Sequence, residues 1–315
     1  MNNLSNSIYT YYRSHFDELP FDKQLHFASR LYLWSGDAFA REQLMRLRPQ
    51  VSSQDTPENA LQAVFDEASA TIHHGSKNAS ELRAPYFEKY PLLRSVAMVL
   101  FRYTFLKTIY GLDARDKLFE LFPGETIESL LTQLFADDRA VAVLSTHAIN
   151  VQYLYTRVVL EQDTAFSPEA MLAIGASQYD FTDRVELQLY IYLYTHCIIG
   201  ESQFYARPIP EKYRPVYQQM LLELENVIGG SFEQVNLDNK FEYLVCCRML
   251  GMTSVLEDRI WAEAERSLSP DGTWIVDREN ANPQVANATF DRSEHRNVLC
   301  IMAGTPMLVT GRDSL

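Results

Sequence analysis

Apolar positions along this chain recur every three or four residues, the period of a helix with one face on a core. No stretch alternates for long as a strand would. The pattern predicts a helix, or a pair of shorter ones, over Leu25 to Leu47. A further helix starts at Thr56-Pro57-Glu58 and closes at His73-His74-Gly75. Others are predicted over Leu92 to Tyr110, Thr126 to Phe135, Ala140 to Leu160 and Pro168 to Gln178. Asp183 reads as the cap of a helix running to about Tyr205, followed by helices over Tyr213 to Ile228, Lys240 to Leu250 and Ser254 to Leu268. Gly111, Gly229-Gly230 and Gly251 read as stops, and Ser269-Pro270-Asp271-Gly272 as a turn. The expected class is all-α.

These helices share a phase. Leu144-Ser145-Thr146-His147-Ala148-Ile149 returns 49 residues later as Leu193-Tyr194-Thr195-His196-Cys197-Ile198. Further steps of 49–50 residues reach Cys246 and His295, and one step back reaches Met98. A second helix fits between each pair, so the pattern is that of stacked helical hairpins, none of which buries its apolar face alone. A closed α/α toroid and an open α-solenoid both suit such a period, and the toroid is the leading expectation. One domain is expected overall, with residues 1–90 as an N-terminal helical part and 91–315 as the repeat array.

The ordered set Tyr192 to Ile198, Leu244 to Gly251, Ser269 to Trp274 and Glu294-His295-Arg296-Asn297 resembles an uncharacterised family of all-helical bacterial proteins. The shared features are a threonine–histidine helix, an Arg-x-Leu-Gly helix end, a Pro-Asp-Gly loop and a late histidine. The Pro-Asp-Gly-x-Trp turn is also similar to repeat-end turns of terpene cyclases and prenyltransferase β subunits, which are α/α toroids. That resemblance implies fold and not chemistry. The chain has no Asp-x-Asp-Asp acid motif, Asp137-Asp138-Arg139-Ala140-Val141 does not make an Asp-Asp-x-x-Asp motif, and no counterpart of the prenyltransferase zinc set stands out.

Composition changes the picture by exclusion. With 28 Lys and Arg against 41 Asp and Glu, the net charge is −13. The densest basic stretch, Arg41 to Arg48, is short, so nucleic acid is not an expected partner. No apolar run approaches the roughly 20 residues of a membrane span, and no secretory signal pattern opens the chain, so a cytoplasmic protein is expected. Cys197, Cys246, Cys247 and Cys300 sit in apolar helical surroundings without CxxC spacing and are expected as buried, inert thiols.

His147, His196 and His295 hold equivalent positions in three repeats and are the candidate catalytic residues. Convergent imidazoles suit zinc or iron, with Glu201, Asp183 or Glu294 completing a set. Alternatively one is a general base and another orients a substrate, or all three are core histidines satisfied by neighbours. Core histidines are the leading reading; of the two functional ones the metal-free pocket is preferred, and the pattern names no cofactor. The polar stretch from Asp271 to Glu294 is long for a loop and reads as either a lid or a solvated insertion that touches no ligand. Trp274, Arg278, Arg292, Glu201 and Tyr194 are its and the pocket's candidate substrate contacts. The expected function is a tailoring enzyme or accessory protein of bacterial secondary metabolism, holding a small molecule or peptide in a central pocket. The alternative is a non-catalytic helical scaffold binding a protein partner or a second copy of itself.

Overall fold

The computed structural model describes residues 2–51, 56–73, 81–163, 167–276, 289–308 and 315, the side chains of 70–73 excepted. Sixteen α-helices run through them. In the first half these are α1 (Asn3–Ser14), α2 (Phe21–Ser35), α3 (Ala38–Val51), α4 (Pro57–His73), α5 (Ala84–Lys89), α6 (Leu93–Tyr110), α7 (Arg115–Leu121) and α8 (Gly124–Phe135). The second half holds α9 (Asp138–Val143), α10 (Ser145–Tyr153), α11 (Pro168–Ser177), α12 (Arg184–Glu201), α13 (Arg214–Gly230), α14 (Leu237–Leu250), α15 (Glu257–Arg266) and α16 (Glu294–Ala303). Among the described residues the strand-like pairing is limited to an isolated bridge between Leu268 and Ile275. The chain is all-α.

Two compact units divide it. The first comprises Met1–Arg46 with Tyr205–Arg312, the second Leu47–Phe204 with Asp313–Leu315. Residue 90, expected to close an N-terminal part, lies inside the second unit.

In the first unit α16 packs on α14, α2 and α1, while α13 and α15 pack on α14. Helix α14 is buried nearly all round, as a helix enclosed by neighbours must be. Even Lys240 is sealed, its ammonium on the Glu263 carboxylate and 3.8 Å from the centre of the Phe232 ring. The Pro-Asp-Gly turn is tied to α16. Asn297 accepts from the Ile275 N–H at 2.8 Å and donates to the Ile275 carbonyl at 3.1 Å, which fixes the residue just after the turn to α16.

In the second unit α10 packs along α12 and against α6, and α4 covers α6. The helices of Met98, His147 and His196 are thus neighbours. Close approach of α10 and α12 depends on Gly200, where an added Cβ would lie 2.3 Å from Tyr153 Cδ2. Local signals end the helices as expected at Gly111, which adopts φ 66°, and start α12 at Asp183, whose carboxylate accepts from the Val185 and Glu186 N–H groups. Two expectations are corrected. The helix of Ala140 to Leu160 is three pieces, α9, α10 and a π-helical stretch from Leu154 to Val159, within which Arg157 reaches Glu201. Helix α12 stops at Glu201 and not near Tyr205, because Gln203, Phe204 and Tyr205 have φ of 52°, 55° and 72°, which a right-handed helix does not admit.

Candidate functional site

Two half-buried faces gather polar and titratable side chains, one in each unit. In the second unit, Gln188, Tyr192 and His196 follow one another at four-residue spacing along α12, which places them on a single helix face. Gln188 donates to the Tyr192 hydroxyl at 3.0 Å, and the Tyr192 ring meets the His196 ring edge-on at 5.9 Å. His196 Nδ1 lies 2.8 Å from Oδ1 of buried Asn150 on α10. An amide oxygen only accepts, so Nδ1 carries the proton and the lone pair of the neutral ring is on Nε2. One turn before Asn150 is His147, whose ring stands edge-on to Phe87 at 5.0 Å. Its Nδ1 is buried without a hydrogen-bond partner.

Two guanidinium groups flank His147. Arg83 is held in place by bonds from Nε to the Val143 carbonyl at 3.2 Å and from Nη2 to the Thr146 hydroxyl at 3.3 Å. Arg94 lies 3.8 Å from the centre of the Phe87 ring, a cation–π distance. Burial, and then the charges of Arg83 and Arg94, push the His147 imidazole down to about 4, so it is neutral at pH 7. Burial likewise lowers both guanidiniums, and no carboxylate among the described residues acts on any of the three.

In the first unit the pattern differs. His26 on α2 lies 2.8 Å from Glu294 through Nδ1, while its Nε2 accepts from Arg30 Nε at 2.6 Å. Arg30 also donates to the Tyr205 hydroxyl at 2.7 Å. Since an arginine N–H only donates, His26 carries its proton on Nδ1 and gives it to Glu294. Burial, and then Arg30 and Lys23, hold the His26 imidazole well below its usual range. Glu294 is fully buried, and burial outweighs the attraction of Lys23 and Arg30 to push its carboxyl up to about 8. Its Oε2 has Lys23 Nζ at 3.7 Å and no hydrogen-bond partner. His295 lies beside this knot, its ring 5.3 Å from that of His26.

The chain matches no known family model, and no curated protein or solved structure is significantly similar to it. The site therefore stands on its own geometry. His147 and His196 share one face, and His295 belongs to the other unit. Among the described residues no three of His, Cys, Asp and Glu are grouped as a metal would need. The four cysteines are buried and form no disulfide among the described residues.

The candidate substrate contacts are scattered. Tyr194 is fully buried, packed on Tyr190 and filling the space beside Gly175. Glu201 is buried against Arg157. Trp274 stacks among Tyr11 and Phe290 at 5.5 and 5.8 Å, with its indole N–H buried and unpartnered, while Arg292 is exposed. Arg278 and the centre of the stretch read as a lid or an insertion, together with His74 and the His73 side chain, lie outside the described residues. Sequence reasoning missed Arg83, Arg94, His26 and Arg30. The signal available for the last two was their i, i+4 spacing on one helix.

Proposed function

We propose that this chain holds a small molecule or peptide against the face formed by α6, α10 and α12. The observation that carries the reading is the His196–Asn150 bond. A buried amide fixes the tautomer of a half-buried imidazole and so directs a basic nitrogen, the arrangement a general base or a substrate-orienting group requires. His147, neutral at pH 7 and one helical turn from Asn150 on α10, is the orienting partner in this reading. A tailoring enzyme or accessory protein of bacterial secondary metabolism, working in the cytoplasm, is the setting that the resemblance of the motif residues suggests. The α/α toroid is the form of the repeat we favour, because neighbouring helices in each unit carry the 49–50 residue phase.

The scaffold reading has one observation of its own. Met98 and Phe101, one turn apart on α6, are exposed, and such an apolar pair suits a protein partner. Native mass spectrometry of the purified chain separates the two. We expect a bound small molecule that is lost from His196→Gln and retained by Met98→Ser/Phe101→Ser. A chain that carries no small molecule, and instead captures a protein that the Met98/Phe101 variant releases, would establish the scaffold.

A further inference from the structure

We propose that Arg83, Arg94 and His147 form a receptor for the phosphate group of a small molecule; this deepens the ligand-binding reading of the same face and rests on it. Arg83 sits in the field of Arg94, both act on His147, and neither arginine has a carboxylate partner among the described residues. A long arginine side chain avoids such repulsion at small cost by reaching into water. These two do not. Both are half-buried: Arg83 is tethered to the Val143 carbonyl and the Thr146 hydroxyl, and Arg94 lies over Phe87. Phe87 contacts both the Arg94 guanidinium and the His147 ring, so it sets their separation.

The donor inventory points the same way. Arg83 spends Nε and Nη2 on its tethers and keeps Nη1, while Arg94 donates no hydrogen bond among the described residues. A carboxylate is satisfied by one guanidinium fork. Two forks without an acid, beside an imidazole, match an anion with two charges and three or more acceptor oxygens. A bound dianion also reverses the field on His147, which at present faces Arg83 and Arg94, the phenols of Tyr192 and Tyr179 acting on Arg83. The ring then gains a reason to hold its second proton.

Inorganic phosphate is the probe, titrated into the whole chain at constant ionic strength with the His147 imidazole followed by NMR. We expect saturable binding, a His147 pKa raised from about 4 by one unit or more, and weaker binding of acetate. Arg83→Gln and Arg94→Gln should each weaken phosphate at least tenfold, Arg94→Lys less, and Arg102→Gln not at all. Arg102 lies on the same helix, where Glu67 acts on it. Phosphate that leaves His147 unmoved, or binding that survives both glutamine variants, overturns the proposal. Should a neutral ligand still bind in a His196-dependent way, the ligand face stands and only its phosphate chemistry falls.

Discussion

The two units solve one electrostatic problem in opposite ways. Each brings two cationic side chains to a histidine on a half-buried helical face: Lys23 and Arg30 around His26 in the first, Arg83 and Arg94 around His147 in the second. The first unit supplies a carboxyl of its own, Glu294, and all its partners interlock. Among its described residues the second supplies none. A cluster that carries its own acid can answer a change in charge by taking up or releasing a proton. A cluster without one is completed only from outside. The difference teaches where to look for a ligand: a polar group that its own fold satisfies is poor grounds for a site, and an uncompensated one is better.

The comparison is tested first by breaking compensation where it is most complete. Lys240 and Glu263 are both buried, and Lys240→Ala would strand a carboxylate in the core of the first unit. We expect a loss of about 3–5 kcal/mol, read from urea unfolding, with Lys240→Met recovering much of it because both its volume and its apolarity suit the site when paired with Glu263→Gln. A loss below about 1 kcal/mol would mean that charge compensation matters little in this interior.

A smaller effect separates the histidine clusters by pH. The Glu294 carboxyl stands at about 8 in the folded chain against 4.5 unfolded, so the folded state holds the extra proton between those values. Stability from this group is present in full below pH 4.5 and is lost as pH rises toward 8. His26 and His147, both lowered from 6.5, act with the opposite sign but only below about that pH. Between pH 6.5 and 8 the fall should therefore be visible, at most about 1.4 kcal/mol per pH unit. Glu294→Gln keeps the acceptor for His26 Nδ1–H and should flatten it. An unchanged slope in the variant would remove Glu294 from the account.

Much of the fold was legible because its signals are local. Asp183 before an apolar run and glycine at 111 and 251 are cap chemistry that any helix obeys, and the 49-residue phase picked out α6, α10 and α12 as neighbours. The break after Val143 was not legible, since Ala140 to Leu160 holds neither glycine nor proline. Helix α1 was missed because its buried face, Ser5, Ile8 and Tyr12, mixes a serine with a tyrosine and reads as polar. The sites were less legible still. His26 and Glu294 are 268 positions apart, and no spacing rule joins them. Arg83 and Arg94 look like ordinary surface arginines until Phe87 and Val143 hold them in place. His147 and His196 were found through the repeat, the one long-range pattern that the chain writes into its own sequence.

The central claim is that the second unit's cluster lacks an internal counter-charge and the first unit's does not. Crystals soaked in selenate at pH 9, where Glu294 is ionised, test it through the anomalous signal of selenium. The account predicts a selenate ion between Arg83 and Arg94 with His147 beside it, and none at Lys23 and Arg30. Selenate at Lys23 and Arg30 with the Arg83–Arg94 cluster empty would contradict it.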